Sequence, residues 1–266
     1  MAEAPDTSLA RVDEIVGHML QSSRVLFITG AGISADSGLP TYRGVGGLYD
    51  GRITDDSMPI EEAVSGTTFT RRPDITWKYL HEIGAATRGR TCNAGHRAIA
   101  GLEPHFDAVW VLTQNVDGFH RAAGSRNVIE IHGNAGELYC TGCDYASRVE
   151  DYASLAPLPL CPECGSVIRP RVVLFDEMLP PEAVDTLQRE LEAGFDMVFT
   201  VGTSAVFPYI AAPVIRARMR GKPTVEIDPG RTELSAEVAY RVPSRAAPAL
   251  SEIARRFHRR RRADPA

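Results

Sequence analysis

Residues 113–120, Thr-Gln-Asn-Val-Asp-Gly-Phe-His, and residues 131–134, Ile-His-Gly-Asn, gather amides, a carboxylate and imidazoles into two short polar stretches. Imidazole is the side chain best suited to moving a proton near neutral pH. The run before the first stretch, 107–112, is apolar, β-branched and aromatic, and predicts a buried strand; 128–131 predicts a second, shorter one. Each would deliver polar residues at its C-terminal end, where open α/β sheets place their ligands. Either stretch alone also reads as a turn rich in Asn, Asp and Gly beside an incidental histidine.

A second chemistry lies in Cys140-Thr141-Gly142-Cys143 and Cys161-Pro162-Glu163-Cys164, two C-x-x-C pairs with 17 residues between them. This spacing points to one structural zinc, because four thiolates close a tetrahedral site and leave no position for water. A redox-active dithiol is the alternative. Zinc ribbons also occur in nucleic-acid binders, but residues 140–164 hold one Arg and no Lys. Cys92 has no cysteine nearby and is expected to be a small core residue.

The third feature is nucleotide-like. An apolar strand is predicted over 25–29, and it runs into Gly30-Ala31-Gly32-Ile33-Ser34-Ala35, a G-x-G-x-x-A pattern. Such glycines let the backbone turn tightly and approach a pyrophosphate. A dehydrogenase would continue with a crossover helix and an acidic second strand. Here residues 36–44 hold Gly and Pro and predict a loop over the site, with Arg43 able to pair with phosphate and Tyr42 able to cover a ring. Another polar turn, Gly202-Thr203-Ser204, follows the strand predicted over 195–201, and the strand at 224–227 ends on Asp228.

Residues 30–44, GAGISADSGLPTYRG, closely resemble the nucleotide-binding loop of the sirtuins, the NAD-dependent protein lysine deacylases. TQNVDGFH at 113–120 and IHGN at 131–134 resemble that family's next two signatures, in order, and the likeness runs to about residue 235. It implies NAD as cofactor, bound by Gly30, Ala31, Gly32, Ser34, Ala35, Pro40, Tyr42, Arg43, Gln114, Asn115, Val116, Asp117, Gly202, Thr203, Ser204 and Asp228. It also implies the chemistry. The acyl-lysine carbonyl attacks the nicotinamide ribose and nicotinamide leaves. His132 then serves as general base on a ribose hydroxyl, and water completes release of lysine and O-acyl-ADP-ribose. Asn115 would position ribose or water, Asp117 the carboxamide, and Tyr42 would shield the reactive carbon.

Four departures from the family pattern stand out, and the first two carry expectations about the substrate. Family members that remove succinyl or malonyl groups have a Tyr and an Arg shortly after the Trp matching Trp77. Leu80 and Ile83 stand there, so an acidic acyl group would be buried unpaired and a neutral one is expected. Phe175-Asp176-Glu177 replaces the usual Phe-Gly-Glu where a substrate peptide adds as a strand, which suggests a preference for basic flanking residues. Pro208 comes one residue earlier than usual, and Asp228 stands where the family often has Asn. Leu80, Ile83, Phe175 and Val206 are the expected substrate contacts.

The whole chain, 266 residues with 44% hydrophobic and 24% charged content, suits one large domain with a small companion. The reading is α/β, a Rossmann-like, mostly parallel sheet built from 1–43, 104–136 and 171–266. A smaller domain, helical at 44–103 and a zinc ribbon at 137–170, completes it. Helices are expected over 8–23, 60–64, 74–87, 93–102, 182–192, 208–220 and 251–262. A net charge of -5 argues against bulk nucleic-acid binding. The arginine-rich segment 255–262 could touch an acidic partner, but a solvated tail is the plainer expectation. No apolar run reaches membrane length, the first residues lack a secretory signal's pattern, and paired cysteines suit a reducing compartment, so the cytoplasm is expected. Acylated-lysine proteins would be the partners. Two rival functions use the same features: ADP-ribosyl transfer to a protein side chain, and a non-enzymatic NAD-binding module with a zinc ribbon.

Overall fold

A computed structural model describes residues 7–41 and 53–263, apart from the side chains of 7–10. Helix α1 (Thr7–Leu20) buries Val12, Ile15, Val16 and Met19 on one face and leads into β1 (Arg24–Thr29). Next come α2 (Ala31–Ser34), α3 (Ile60–Ala63), α4 (Gly66–Arg71), α5 (Pro73–Thr87) and α6 (Ala94–Leu102). Strand β2 (Ala108–Thr113), α7 (Phe119–Ala122), β3 (Val128–Glu130), β4 (Gly133–Cys140), β5 (Ala146–Arg148) and β6 (Ile168–Val172) follow. The chain continues through α8 (Pro181–Ala193), β7 (Met197–Val201), α9 (Pro208–Met219), β8 (Thr224–Ile227), β9 (Tyr240–Val242) and α10 (Ala246–Ala263).

Six strands form a parallel sheet in the order β3-β2-β1-β7-β8-β9. Both faces are covered, and the alternation along β1 shows how. Val25 and Phe27 join the layer of α1, α6 and α10, while Leu26 and Ile28 join that of α8 and α9. Successive strands run outward from β1 on one side and from β7 on the other. The seam between β1 and β7 is therefore the topological switch point, where such sheets open a crevice.

A second, antiparallel sheet, β5-β4-β6, packs with α3, α4 and α5 in a separate apolar cluster. Trp77 pins α5 to it, its indole N–H donating to the Ile168 carbonyl at 2.8 Å and its ring meeting Tyr152 edge-on. The strand expected over 171–175 lies earlier. Regular pairing covers Ile168–Val172, after which Val173 N–H donates to the His132 carbonyl and Phe175 N–H to that of Val64. Helix α4 was not expected, being only six residues with little apolar periodicity; Ser65 caps it by accepting from Thr68 N–H. Helix α10 starts five residues before the expected 251, because Ala246, Ala249 and Leu250 already belong to its buried face.

Candidate active site

At the switch point two glycine loops touch backbone to backbone. Gly30 N–H donates to the Val201 carbonyl at 3.1 Å and Gly32 N–H to that of Gly202 at 2.9 Å. A Cβ on Gly32 would lie 2.5 Å from Gly202 Cα, and Gly202 itself sits at φ +57°. Neither position admits a side chain, so the C-terminal ends of β1 and β7 close on a bare backbone cradle beside the start of α2. The cradle opens into a cleft of about 1940 Å³ between the two sheets.

Polar side chains from the loop after β2 reach across to that cradle. Gln114 donates to Thr203 Oγ1 at 2.7 Å. The Asn115 amide donates to the Gly30 carbonyl at 3.0 Å and to Ser34 Oγ at 3.1 Å, and Ser34 donates onward to Asp117 at 2.6 Å. Burial raises the Asp117 carboxyl above its usual value, opposed by the Ser34 hydroxyl and the Phe119 amide. Asp228, past the end of β8, is also raised by burial and accepts from Gly230 N–H at 2.8 Å.

His132 lies between β3 and β4 at the mouth of this network. Its Nδ1 is 3.0 Å from the Gln114 carbonyl, which can only accept, so Nδ1 carries the proton and Nε2 holds a lone pair. Burial lowers its pKa, which keeps the ring neutral at pH 7. That is the state a general base needs. Nε2 is 2.7 Å from the Tyr209 hydroxyl, a contact no pattern in the sequence could have indicated across 77 positions.

Among the expected cofactor residues, Gly30, Ala31, Gly32, Ser34, Ala35, Pro40, Gln114, Asn115, Val116, Asp117, Gly202, Thr203, Ser204 and Asp228 all line the cleft. Tyr42 and Arg43 lie outside the described residues. Leu80, Ile83 and Phe175 line the cleft on the side of the smaller sheet. Val206 does not. It is 52% exposed beside Arg231 and Thr232, and Phe207, one residue on, lines the cleft and turns its ring edge toward His132. Cys92 is not a core residue either; it is half-buried on the cleft wall, its sulfur 3.7 Å from an Arg97 nitrogen.

The edge at Phe175 is held through both residues that follow it. Arg169, almost wholly buried, grips Glu177 with two nitrogens at 2.7 and 3.0 Å and lies over the Phe69 ring. Asp176, at φ +65°, accepts from the amides of Gly66 and Thr67 at the start of α4. Its carboxylate thus caps a helix while staying exposed on the cleft rim.

Cys140, Cys143, Cys161 and Cys164 converge at one end of the smaller sheet, every sulfur within 4.8 Å of the others. The Cys140–Cys164 and Cys143–Cys161 separations, 3.4 and 3.6 Å, are too long for disulfides. They are near the ~3.8 Å edge of a tetrahedron with 2.3 Å zinc–sulfur bonds. The donor set fits one zinc with no open position.

Comparison with known proteins places this geometry. The family model described as "Sir2 family" matches residues 30–208. An NAD-dependent protein deacylase 2 of Pseudomonas aeruginosa is 51% identical over 242 residues, covering 90% of this chain and 94% of that one. A mutant Sir2 homologue in complex with ADP-ribose superposes with a TM-score of 0.86 at 33% identity, over 96% of this chain and 99% of that one. A Sir2 homologue–NAD complex gives 0.82 at 35%, over 93% and 94%. The match spans the glycine cradle, the Gln114–His132 network and the cysteine cluster alike, and the chain belongs to the Sir2 family.

Proposed function

We propose that this chain is an NAD-dependent protein lysine deacylase acting on neutral acyl groups. The observation that carries the proposal is a half-buried His132 whose Nδ1–H bonds the Gln114 carbonyl, next in chain to the Asn115–Ser34–Asp117 network and at the edge of a backbone cradle that only glycine fits. NAD, when bound, supplies an activated ribose carbon with nicotinamide as leaving group. The chain's residues do the rest. Gly30, Gly32 and Gly202 let the diphosphate approach the backbone, and Asp228 accepts from adenosine ribose hydroxyls. Asp117, held by the Ser34 hydroxyl and the Phe119 amide, orients the carboxamide. Asn115 fixes the ribose, and His132 accepts the proton of a ribose hydroxyl at Nε2.

Leu80 and Ile83 line the wall with apolar surface, so a second carboxylate on the acyl chain would lose its hydration against them and gain no charge from either. Zinc held by Cys140, Cys143, Cys161 and Cys164 keeps the smaller sheet folded and takes no part in the reaction. The division into 1–43, 104–136 and 171–266 against 44–103 and 137–170 is our proposal for the two domains. Its limits at 136/137 and 170/171 fall inside β4 and β6. Among the described residues no helix is long and apolar enough to cross a membrane. We place the protein in the cytoplasm, acting on acylated proteins rather than nucleic acid. In the basic segment of α10, Arg256 is buried and pairs with Asp13 and Glu252, while Arg260 stays exposed and donates to the Asp13 carbonyl.

The test is NAD-dependent turnover of acetyl-, butyryl- and succinyl-lysine peptides beside His132→Ala. Free lysine and nicotinamide should appear together with neutral acyl groups. Succinyl should turn over poorly, and the variant should lose about 10²–10⁴-fold in deacylation. Nicotinamide release without freed lysine would move the assignment to ADP-ribosyl transfer; no NAD dependence would end it.

A further inference from the structure

The Nε2 atom of a neutral imidazole has one lone pair and accepts one hydrogen bond. In His132 that lone pair is already taken. With Nδ1–H given to the Gln114 carbonyl at 3.0 Å, the hydroxyl 2.7 Å from Nε2 must be the donor, and it belongs to Tyr209 in the first turn of α9. The Tyr209 ring stacks on Phe207 at 5.4 Å and 11°, and both rings stand edge-on to the imidazole. A ribose hydroxyl cannot give its proton to Nε2 while the phenol is there.

We propose that Tyr209 is a positioning residue for the base: its hydroxyl holds the Nε2 lone pair of His132 toward the cleft until a substrate hydroxyl takes its place. This rests on the reading of His132 as general base. The exchange swaps one O–H···N hydrogen bond for another, so no buried nitrogen is left unpaired in either state. In the resting protein the phenol does two things. It fills the lone pair of the tautomer that the Gln114 carbonyl fixes, since a carbonyl can only accept. It also competes with a proton for that lone pair, because protonation of Nε2 forces the hydroxyl to turn from donor to acceptor. Tyr209 therefore works in the same direction as burial.

Carboxylates elsewhere around the site are engaged with other partners. Asp117, on the loop after β2, is engaged by Ser34 and the Phe119 amide. Glu130, at the end of β3, is held by Arg121 and Asn134. Beyond β6, Glu177 pairs with Arg169, and Asp176 caps α4.

The experiment compares the unsubstituted protein with Tyr209→Phe and His132→Ala, following deacylation of an acetyl-lysine peptide and nicotinamide–NAD exchange across pH. With Tyr209→Phe, the acidic limb of kcat/KM, which reports the free enzyme, should move up by about 0.5 pH unit or more. Exchange, and kcat above about pH 8 where the ring is neutral in either case, should stay within about twofold. An unshifted limb overturns the proposal. So does a loss of about 100-fold or more at every pH with exchange intact, which would make the phenol a chemical participant. Imidazole ¹⁵N spectra of the unsubstituted protein, assigned with His132→Ala, test it without altering Tyr209. The expected result is the Nδ1–H tautomer with a hydrogen-bonded Nε2, and an Nε2–H tautomer would overturn it. Should His132→Ala retain deacylation, the base assignment itself fails, whatever Tyr209 does.

Discussion

His96 and His120 face each other edge-on at 4.8 Å beneath the site, both buried, and neither belongs to the chemistry. Burial lowers His96 to about 4 and His120 to about 3. The unfolded chain takes up these protons below about pH 6.5, and the folded one does so only near the lowered values. Their neutral burial therefore favours folding fully above pH 6.5, and this is lost as pH falls, at up to about 1.4 kcal/mol per unit for each. Denaturant unfolding should give a stability about 3–4 kcal/mol lower at pH 5 than at pH 7; a flat profile would contradict the placement. At the acyl wall, Leu80→Tyr with Ile83→Arg should raise succinyl over acetyl kcat/KM by about tenfold or more, since a charge-assisted hydrogen bond contributes roughly 1.5–3 kcal/mol. An unchanged ratio would remove both residues from the acyl pocket. His132 and Asn115 could be proposed, and the cysteine cluster foreseen, because few residue types can do such chemistry. Tyr209 and Arg169 could not be, because phenols and guanidiniums are common and only a partner's distance gives them meaning.

Among the connecting elements, the loops bear the tightest constraints. Gly202→Ala would place a methyl 2.5 Å from Gly32 Cα in a left-handed conformation, so it should cost at least about 2 kcal/mol in stability. Titration should also show NAD binding weakened by about tenfold or more, as the cradle is pushed open; wild-type affinity in a folded variant would rule the cradle out. Asp176 presents a balance of opposite effects. Its left-handed backbone costs roughly 1–2 kcal/mol and its two amide hydrogen bonds return about the same. Asp176→Gly should thus leave the unfolding midpoint nearly unchanged. It should narrow the kcat/KM gap between peptides with lysine and with glutamate beside the acyl-lysine, because the rim charge is gone. An undiminished gap would place the charge preference elsewhere. The periodicities of α1, α5 and α6 were readable in the chain, whereas α4 and the true span of β6 depend on Ser65, Asp176 and the facing strand.

For the molecule as a whole, the cysteine cluster and the smaller sheet act as one unit. Cys140 and Cys161 are buried in the same apolar cluster as Trp77, Tyr79 and Leu138. Chelating zinc, or Cys161→Ser, should unfold that sheet, seen as a red shift of tryptophan emission and a lowered unfolding midpoint, and peptide turnover should fall with it. Retained structure after complete zinc removal would refute the structural role. The parallel sheet has its own core on both faces, and should keep measurable nucleotide affinity under the same treatment.

The order of apolar runs and polar ends along the chain determined by itself that this is an α/β protein with a glycine loop after β1, a histidine after β3 and four cysteines for a metal. These follow from local periodicity and from ligand chemistry, which neighbouring residues carry within a few positions. Only the tertiary structure decided that Gly32 and Gly202 touch, that Phe207 rather than Val206 lines the cleft, and that Tyr209 meets His132. Each is a contact between segments 70 to 170 positions apart, created when parallel strands align their ends, and no local pattern encodes such a distance.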